Sequence, residues 1–183
     1  ITYENLSPNP STAVRTVTFT VTDGDGGSST AVARNINVSS LNDAPVLSGA
    51  NDLATINEDA FNNGGTLVSD LVSGWVSDTD AGSLEGIAVV AIDNTNGSWE
   101  FTTDNGATWT AFGAASANNA TLLAADADTR VRFVPDPGWN GTVTNGITFH
   151  AWDQSIGANG DTVDLTLSAN VSDQFATVSY AND

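Results

Sequence analysis

The chain has 183 residues, 40% of them apolar, which is enough for one good-sized domain and part of a second and too apolar for wholesale disorder. Twenty-two acidic residues face four basic ones, all arginine, and the net charge of −18 argues against nucleic-acid or anionic-membrane partners, which need Lys or Arg at their phosphates. With no Cys there is neither a disulfide framework nor a thiolate metal site, so any stapling must come from elsewhere, and bound cations would offset the acidity. No apolar run approaches the roughly 20 residues that span a bilayer, and no signal peptide is visible. Without an initiating Met, the chain is expected to be a piece of a longer protein.

Period-2 alternation dominates and helical periodicity is nearly absent. In Thr16-Val17-Thr18-Phe19-Thr20-Val21-Thr22 apolar residues alternate with threonine, the pattern of a strand with one face in a core. Asp23-Gly24-Asp25-Gly26-Gly27 follows as a turn that opens like an EF-hand loop, but Arg34 stands at the twelfth position, where a bidentate Glu is required. Val38-Ser39-Ser40-Leu41-Asn42-Asp43 comes next, then Asn57-Glu58-Asp59-Ala60. Asp78-Thr79-Asp80 has the spacing that lets two carboxylates meet one hard cation on a turn. Asp93-Asn94-Thr95-Asn96-Gly97 is turn chemistry ahead of a strand over Ser98-Trp99-Glu100-Phe101-Thr102. Thr102-Thr103-Asp104-Asn105-Gly106-Ala107-Thr108-Trp109 resembles an Asp-box hairpin, a structural device in which the Asp side chain binds its own backbone. Asp126 and Asp128 precede a strand over Arg130-Val131-Arg132-Phe133. Further strands are predicted at Ile147-Thr148-Phe149 and Asp164-Leu165-Thr166-Leu167. The fold expected from this pattern is all-β, a sandwich or barrel of largely antiparallel strands.

The ends of the chain repeat one another. Val38-Ser39-Ser40-Leu41-Asn42-Asp43 resembles Val178-Ser179-Tyr180-Ala181-Asn182-Asp183, with the Asn-Asp pairs 140 positions apart. Upstream of each lies a strand ending in aspartate, at Asp23 and at Asp153. A complete repeat therefore spans 42–183, and residues 1–41 are the last strands of a preceding one. That half-unit must be partly disordered, pack on the complete unit, or be completed by another chain.

His150 is the sole histidine, so any Ser-His-Asp triad would have to use it; its alternation with Phe149 makes it a surface residue. Trp75, Trp99, Trp109, Trp139 and Trp152 read mostly as core. Trp152, on the face opposite Phe149 and next to Asp153, is the one candidate among them for a ligand role: if exposed beside an acidic end, it could stack on a sugar ring. The candidate carboxylate pairs lie on turns with metal-like spacing rather than in the arrangement of a glycosidase, and no enzymatic activity is expected.

Asn42-Asp43-Ala44-Pro45-Val46-Leu47, the Asn57–Ala60 segment, Ser77-Asp78-Thr79-Asp80-Ala81-Gly82 and Phe149-His150-Ala151-Trp152-Asp153-Gln154 together resemble the cadherin-like tandem repeats of giant bacterial RTX-type, biofilm-associated adhesins. Ile1–Asn5 with Arg15–Gly24 resembles the closing strands of a sister repeat. The resemblance implies a Greek-key β-sandwich of cadherin or Ig-like type and calcium between successive repeats. It makes Asn42 and Asp43 linker ligands, met by Asp78, Asp80 and Asp153 from the leading end. Glu58 would point to the far end, where Asp183 begins the next linker and Asp126 or Asp128 joins. Asp23 and Asp25 would likewise face a linker that this chain does not include. Cadherin linkers of animals carry a further aspartate where Ser39 and Ser40 stand, so one or two ions are expected at the 42–43 junction.

The implied function is that of a calcium-stiffened extender at the bacterial cell surface, exported by type I secretion, with neighbouring repeats of the same polypeptide as partners. The alternative is a calcium-dependent module that binds carbohydrate or another protein, and a third possibility is strand donation by residues 1–41 to a neighbouring molecule.

Overall fold

Alternation decides the first strands. In a computed structural model that describes residues 2–167 and 170–182, β1 (Arg15–Phe19) pairs antiparallel with β2 (Val32–Ile36), Arg15 opposite Ile36 and Phe19 opposite Val32. Val17 and Phe19 thus share a face with Val32 and Ile36, while Thr16 and Thr18 take the other. The hairpin belongs to the first of two units into which the chain divides, Ile1–Asn42 and Asp43–Asp183. No described residue of this first unit is buried.

The second unit is built from short strands. β3 (Val46–Leu47), β4 (Thr66–Leu67), the one-turn helix α1 (Val68–Val72) and β5 (Val76–Ser77) come first. β6 (Gly86–Ile92), β7 (Gly97–Thr102), β8 (Thr110–Ala111), β9 (Ala120–Ala124) and β10 (Arg130–Pro135) follow. β11 (Gly141–Trp152), β12 (Thr162–Val163) and β13 (Val171–Asn182) complete it. They form a four-stranded sheet in the order β4-β10-β7-β8, a five-stranded sheet in the order β12-β9-β6-β11-β13, and the pair β3-β5. Every strand pairing is antiparallel. Outside the named strands, the segment 53–56 lies along the outer edge of β13. The Leu53 and Ile56 N–H groups donate to the carbonyls of Ser179 and Ala181, and Asp52 Oδ1 accepts the Ser179 N–H at 2.7 Å.

Both large sheets feed one core. Ile87, Val89, Ile147, Phe149, Val178 and Tyr180 from the five-stranded sheet meet Trp99, Val131 and Phe133 from the four-stranded one. Phe133 lies 4.8 Å from the Tyr180 ring and 5.1 Å from that of Trp99, centroid to centroid. The Trp99 indole N–H donates to the Asp93 carbonyl, so the ring is buried without stranding its polar atom. Burial of each such side chain stabilises by about 1.5–3 kcal/mol. The five-stranded sheet is covered on its other face too: Ala88, Leu122 and Trp152 form a second cluster with Leu165. This is why β6 reads as an unbroken apolar run rather than an alternation.

Two local expectations fail. Leu165–Leu167 is a 3-10 turn, not a strand, because the Asp164 carboxylate takes both the N–H and the hydroxyl of Thr166 and curls the backbone. The helix α1 went unread because a single turn (Val68, Leu71 and Val72 buried) is too short to show a period.

Candidate cation-binding ends of the sheets

Strand pairing fixes which acids can meet. Gly86, at the start of β6, lies opposite Ala124 at the end of β9 and opposite Trp152 at the end of β11. Segments 78–85 and 125–129 and residue Asp153 therefore emerge at one end of the sheets. Val46 faces Ser77, which brings the chain at Asp43 to the same end as Asp78. Here the Asp43 N–H donates to Asp80 Oδ2 at 2.8 Å, and the Asp80 N–H donates to Asp78 Oδ1 at 2.8 Å. The other oxygen of Asp78, Oδ2, is buried and has no hydrogen-bond partner. A carboxylate oxygen left so carries a desolvation cost of about 1–3 kcal/mol or more, which a cation would offset.

Asp153 is 6% exposed, and its Oδ1 accepts the N–H (2.9 Å) and the hydroxyl (2.6 Å) of Ser155. Asp126 and Asp128 also belong to this end, not to the far one with Glu58 as expected. The far-end assignment fails because β9 runs antiparallel to β6 and delivers its last residue beside Glu85, whose carbonyl accepts the Ala125 N–H. Asp126 Oδ1 closes its own turn on the N–H groups of Asp128 and Thr129. Its Oδ2 receives the Asn159 amide at 3.3 Å. Glu85 itself was missed; its only signal is its place immediately before the apolar run of β6.

At the opposite end Asn182 pairs with Gly141, and the Asn57–Ala60 segment is held by the Gly138 N–H on Asp59 Oδ1. Glu58 is exposed there. Asp183 lies outside the described residues. In the first unit, Asp23 Oδ1 accepts the N–H groups of Asp25 (3.2 Å) and Gly27 (2.9 Å), so that carboxylate closes its own turn; Asn42 is the last residue of that unit and is exposed. Among the described residues, no three carboxylate or imidazole groups come together closely enough to hold a metal ion by themselves. An ion at Asp78 and Asp80 would have to complete its shell with amide, carbonyl or water oxygens, as calcium readily does.

The Asp-box turn is structural, as expected. Asp104 Oδ1 accepts the Thr102 hydroxyl and the Thr108 N–H, and Oδ2 accepts the Thr108 hydroxyl. The two threonine hydroxyls, aided by that N–H, hold the carboxyl down at about 2. His150 is half-buried rather than a free surface residue. Its Nδ1 lies 2.8 Å from the Ser172 carbonyl and 3.1 Å from that of Gln174. Both partners are acceptors, so Nδ1 carries the proton. Trp152 does not stand exposed: it is 1% accessible, its indole N–H donates to the Ile156 carbonyl, and residues on the 156–165 excursion lie over it. It offers no face to a sugar.

The chain is thus a mostly-β, multi-sheet protein with one short α-helix among the described residues and an acidic end that carries an unsatisfied carboxylate oxygen. No protein-family model matches it, and neither a curated protein nor a solved structure matches it.

Proposed function

We propose that this chain is a calcium-binding extender repeat of a large bacterial surface adhesin. In this reading Asp43–Asp183 is a Greek-key β-sandwich of cadherin or Ig-like type, and the first unit is the closing part of a sister repeat. The observation that carries the reading is the buried, partnerless Asp78 Oδ2 beside the Asp80 carboxylate at the end where the chain enters the second unit. These residues fit a hard cation: Asp78 and Asp80 would hold it, with Asp43 and Asp153 as further oxygen donors at the same end. A bound calcium supplies positive charge and a demand for six to eight oxygens. The protein's own part is to fix two carboxylates by backbone N–H groups before the ion arrives.

The role is mechanical and adhesive rather than catalytic, performed outside the cell, with neighbouring repeats as partners. A chain with 19 acidic residues and two arginines between positions 43 and 183 repels itself until cations bind. That suits export into calcium-rich surroundings. The test is thermal unfolding in EDTA and in millimolar calcium, with magnesium as control, repeated on the Asp78→Ala/Asp80→Ala double variant. A calcium-specific rise in melting temperature that the variant loses supports the reading; no calcium effect on the parent chain overturns it.

A further inference from the structure

Of the five tryptophans, Trp99 and Trp152 are buried and Trp109 and Trp139 half-buried, whereas Trp75 keeps 38% of its surface in water. It is nevertheless held rigidly. Its indole N–H donates to Asn51 Oδ1 at 2.9 Å, and the Asn51 amide in turn donates to the carbonyls of Asp70 (2.7 Å) and Ser73 (3.2 Å) at the end of α1. Its own carbonyl accepts both the N–H and the hydroxyl of Ser48. One face of the ring lies on Gly49, where even a Cβ would come within 2.6 Å of Cε3. A large aromatic ring with its polar atom satisfied and its orientation fixed, yet left wet, is a preorganised binding surface: little entropy remains to be lost when something covers it.

We propose that Trp75 is a stacking platform for a neutral pyranose. The apolar C–H face of the sugar would lie on the indole, and its hydroxyls would find acceptors and donors on Ser73 and Asp70, which are exposed and whose carbonyls are tied to the indole through the Asn51 amide. The charge of the chain selects the sugar. Nineteen carboxylates against two arginines from residue 43 onward repel uronates and sialic acids and leave uncharged hexoses and N-acetylhexosamines. The site uses none of the candidate cation ligands, so it stands or falls apart from the calcium reading.

The experiment is saturation-transfer NMR on the intact chain with β-glucan, N-acetylglucosamine and galactose oligosaccharides, and with polygalacturonate as the anionic control. At least one neutral saccharide is expected to bind, with transfer strongest to its axial ring protons, and Trp75→Leu is expected to weaken it about tenfold or more, the loss of roughly 1.4 kcal/mol. Should that variant unfold, the parent chain still decides: the sugar must show Overhauser contacts to the one indole that also contacts the Gly49 Hα protons. Absence of binding by every neutral saccharide, unchanged binding by folded Trp75→Leu, or contacts to a different indole overturns the proposal.

Discussion

Asp78→Asn separates the cost of the second-unit acidic end from its use. The substitution keeps the Oδ1 acceptor for the Asp80 N–H and removes the charge behind the partnerless Oδ2. In EDTA the variant is therefore expected to melt at or above the temperature of the parent chain, since a neutral amide costs less to bury at that position than a charged carboxylate with an unpartnered oxygen, a difference of up to about 1–3 kcal/mol. In calcium the order reverses. For a dissociation constant on the order of 10⁻³ to 10⁻⁴ M, as in extracellular modules, 10-fold to 100-fold excess ion stabilises the parent by about 1.4–2.7 kcal/mol. Spread over a unit of this length, at about 2.1 cal/mol/K of unfolding entropy per residue, that is a rise of about 5–9 °C. Differential scanning calorimetry of both chains in EDTA, calcium and magnesium reads all of this in one series. A variant less stable than the parent in EDTA, or a variant with the full calcium response, refutes the reasoning.

The Asp104 turn makes a pH prediction. A carboxyl held at about 2 when folded, against 3.8 for the free group, adds stability above pH 3.8 that is lost as pH falls through 2; Asp104→Asn should flatten the melting temperature over that window. Trp99→Ala, at the centre of the core, should cost about 3–5 kcal/mol in urea unfolding. Glu100→Gln leaves Arg132, whose guanidinium lies 2.6 Å from Glu100 and 4.0 Å from the Trp109 ring centroid, with its charge unmatched; a loss of about 1.5–3 kcal/mol is expected by the same assay. Gly146→Ala would drive a Cβ into the Trp99 ring, and a cost of about 1–3 kcal/mol is expected, reduced when Trp99 is itself replaced by Leu.

The parts of the fold legible in the sequence were those set by near neighbours. Thr16–Phe19, Ser98–Thr102 and Arg130–Phe133 announced their strands because apolar and polar side chains alternate along each. The Asp104 hairpin announced itself because its hydrogen bonds span only four residues. What escaped depends on partners distant in the chain. The end reached by Asp126 follows from the antiparallel pairing of β9 with β6, which no local pattern carries. Trp152 lies on the outer face of its strand, as its position in the alternation suggests, but the excursion to Leu165 returns to cover it. Trp75 read as core for the converse reason: nothing near it in sequence reveals that Gly49, 26 positions earlier, supports only one side of the ring. Asp78 and Asp80 were legible as a pair; that one of their oxygens lacks any partner was not.

The segment 53–56 and the end of β13 run in the same direction, since Leu53 bonds to Ser179 and Ile56 to Ala181. The second unit is entered at one end of its sheets and left at the other. Tension applied through Asp43 and Asn182 therefore pulls these two stretches past each other along their length. The Asp52 carboxylate on the Ser179 N–H is loaded together with both backbone bonds, so all three must yield at once instead of opening one by one. Placed in series, such units would resist stretching as shear clamps, and Asp52→Ala should lower the force at which a single unit gives way in an atomic-force pull.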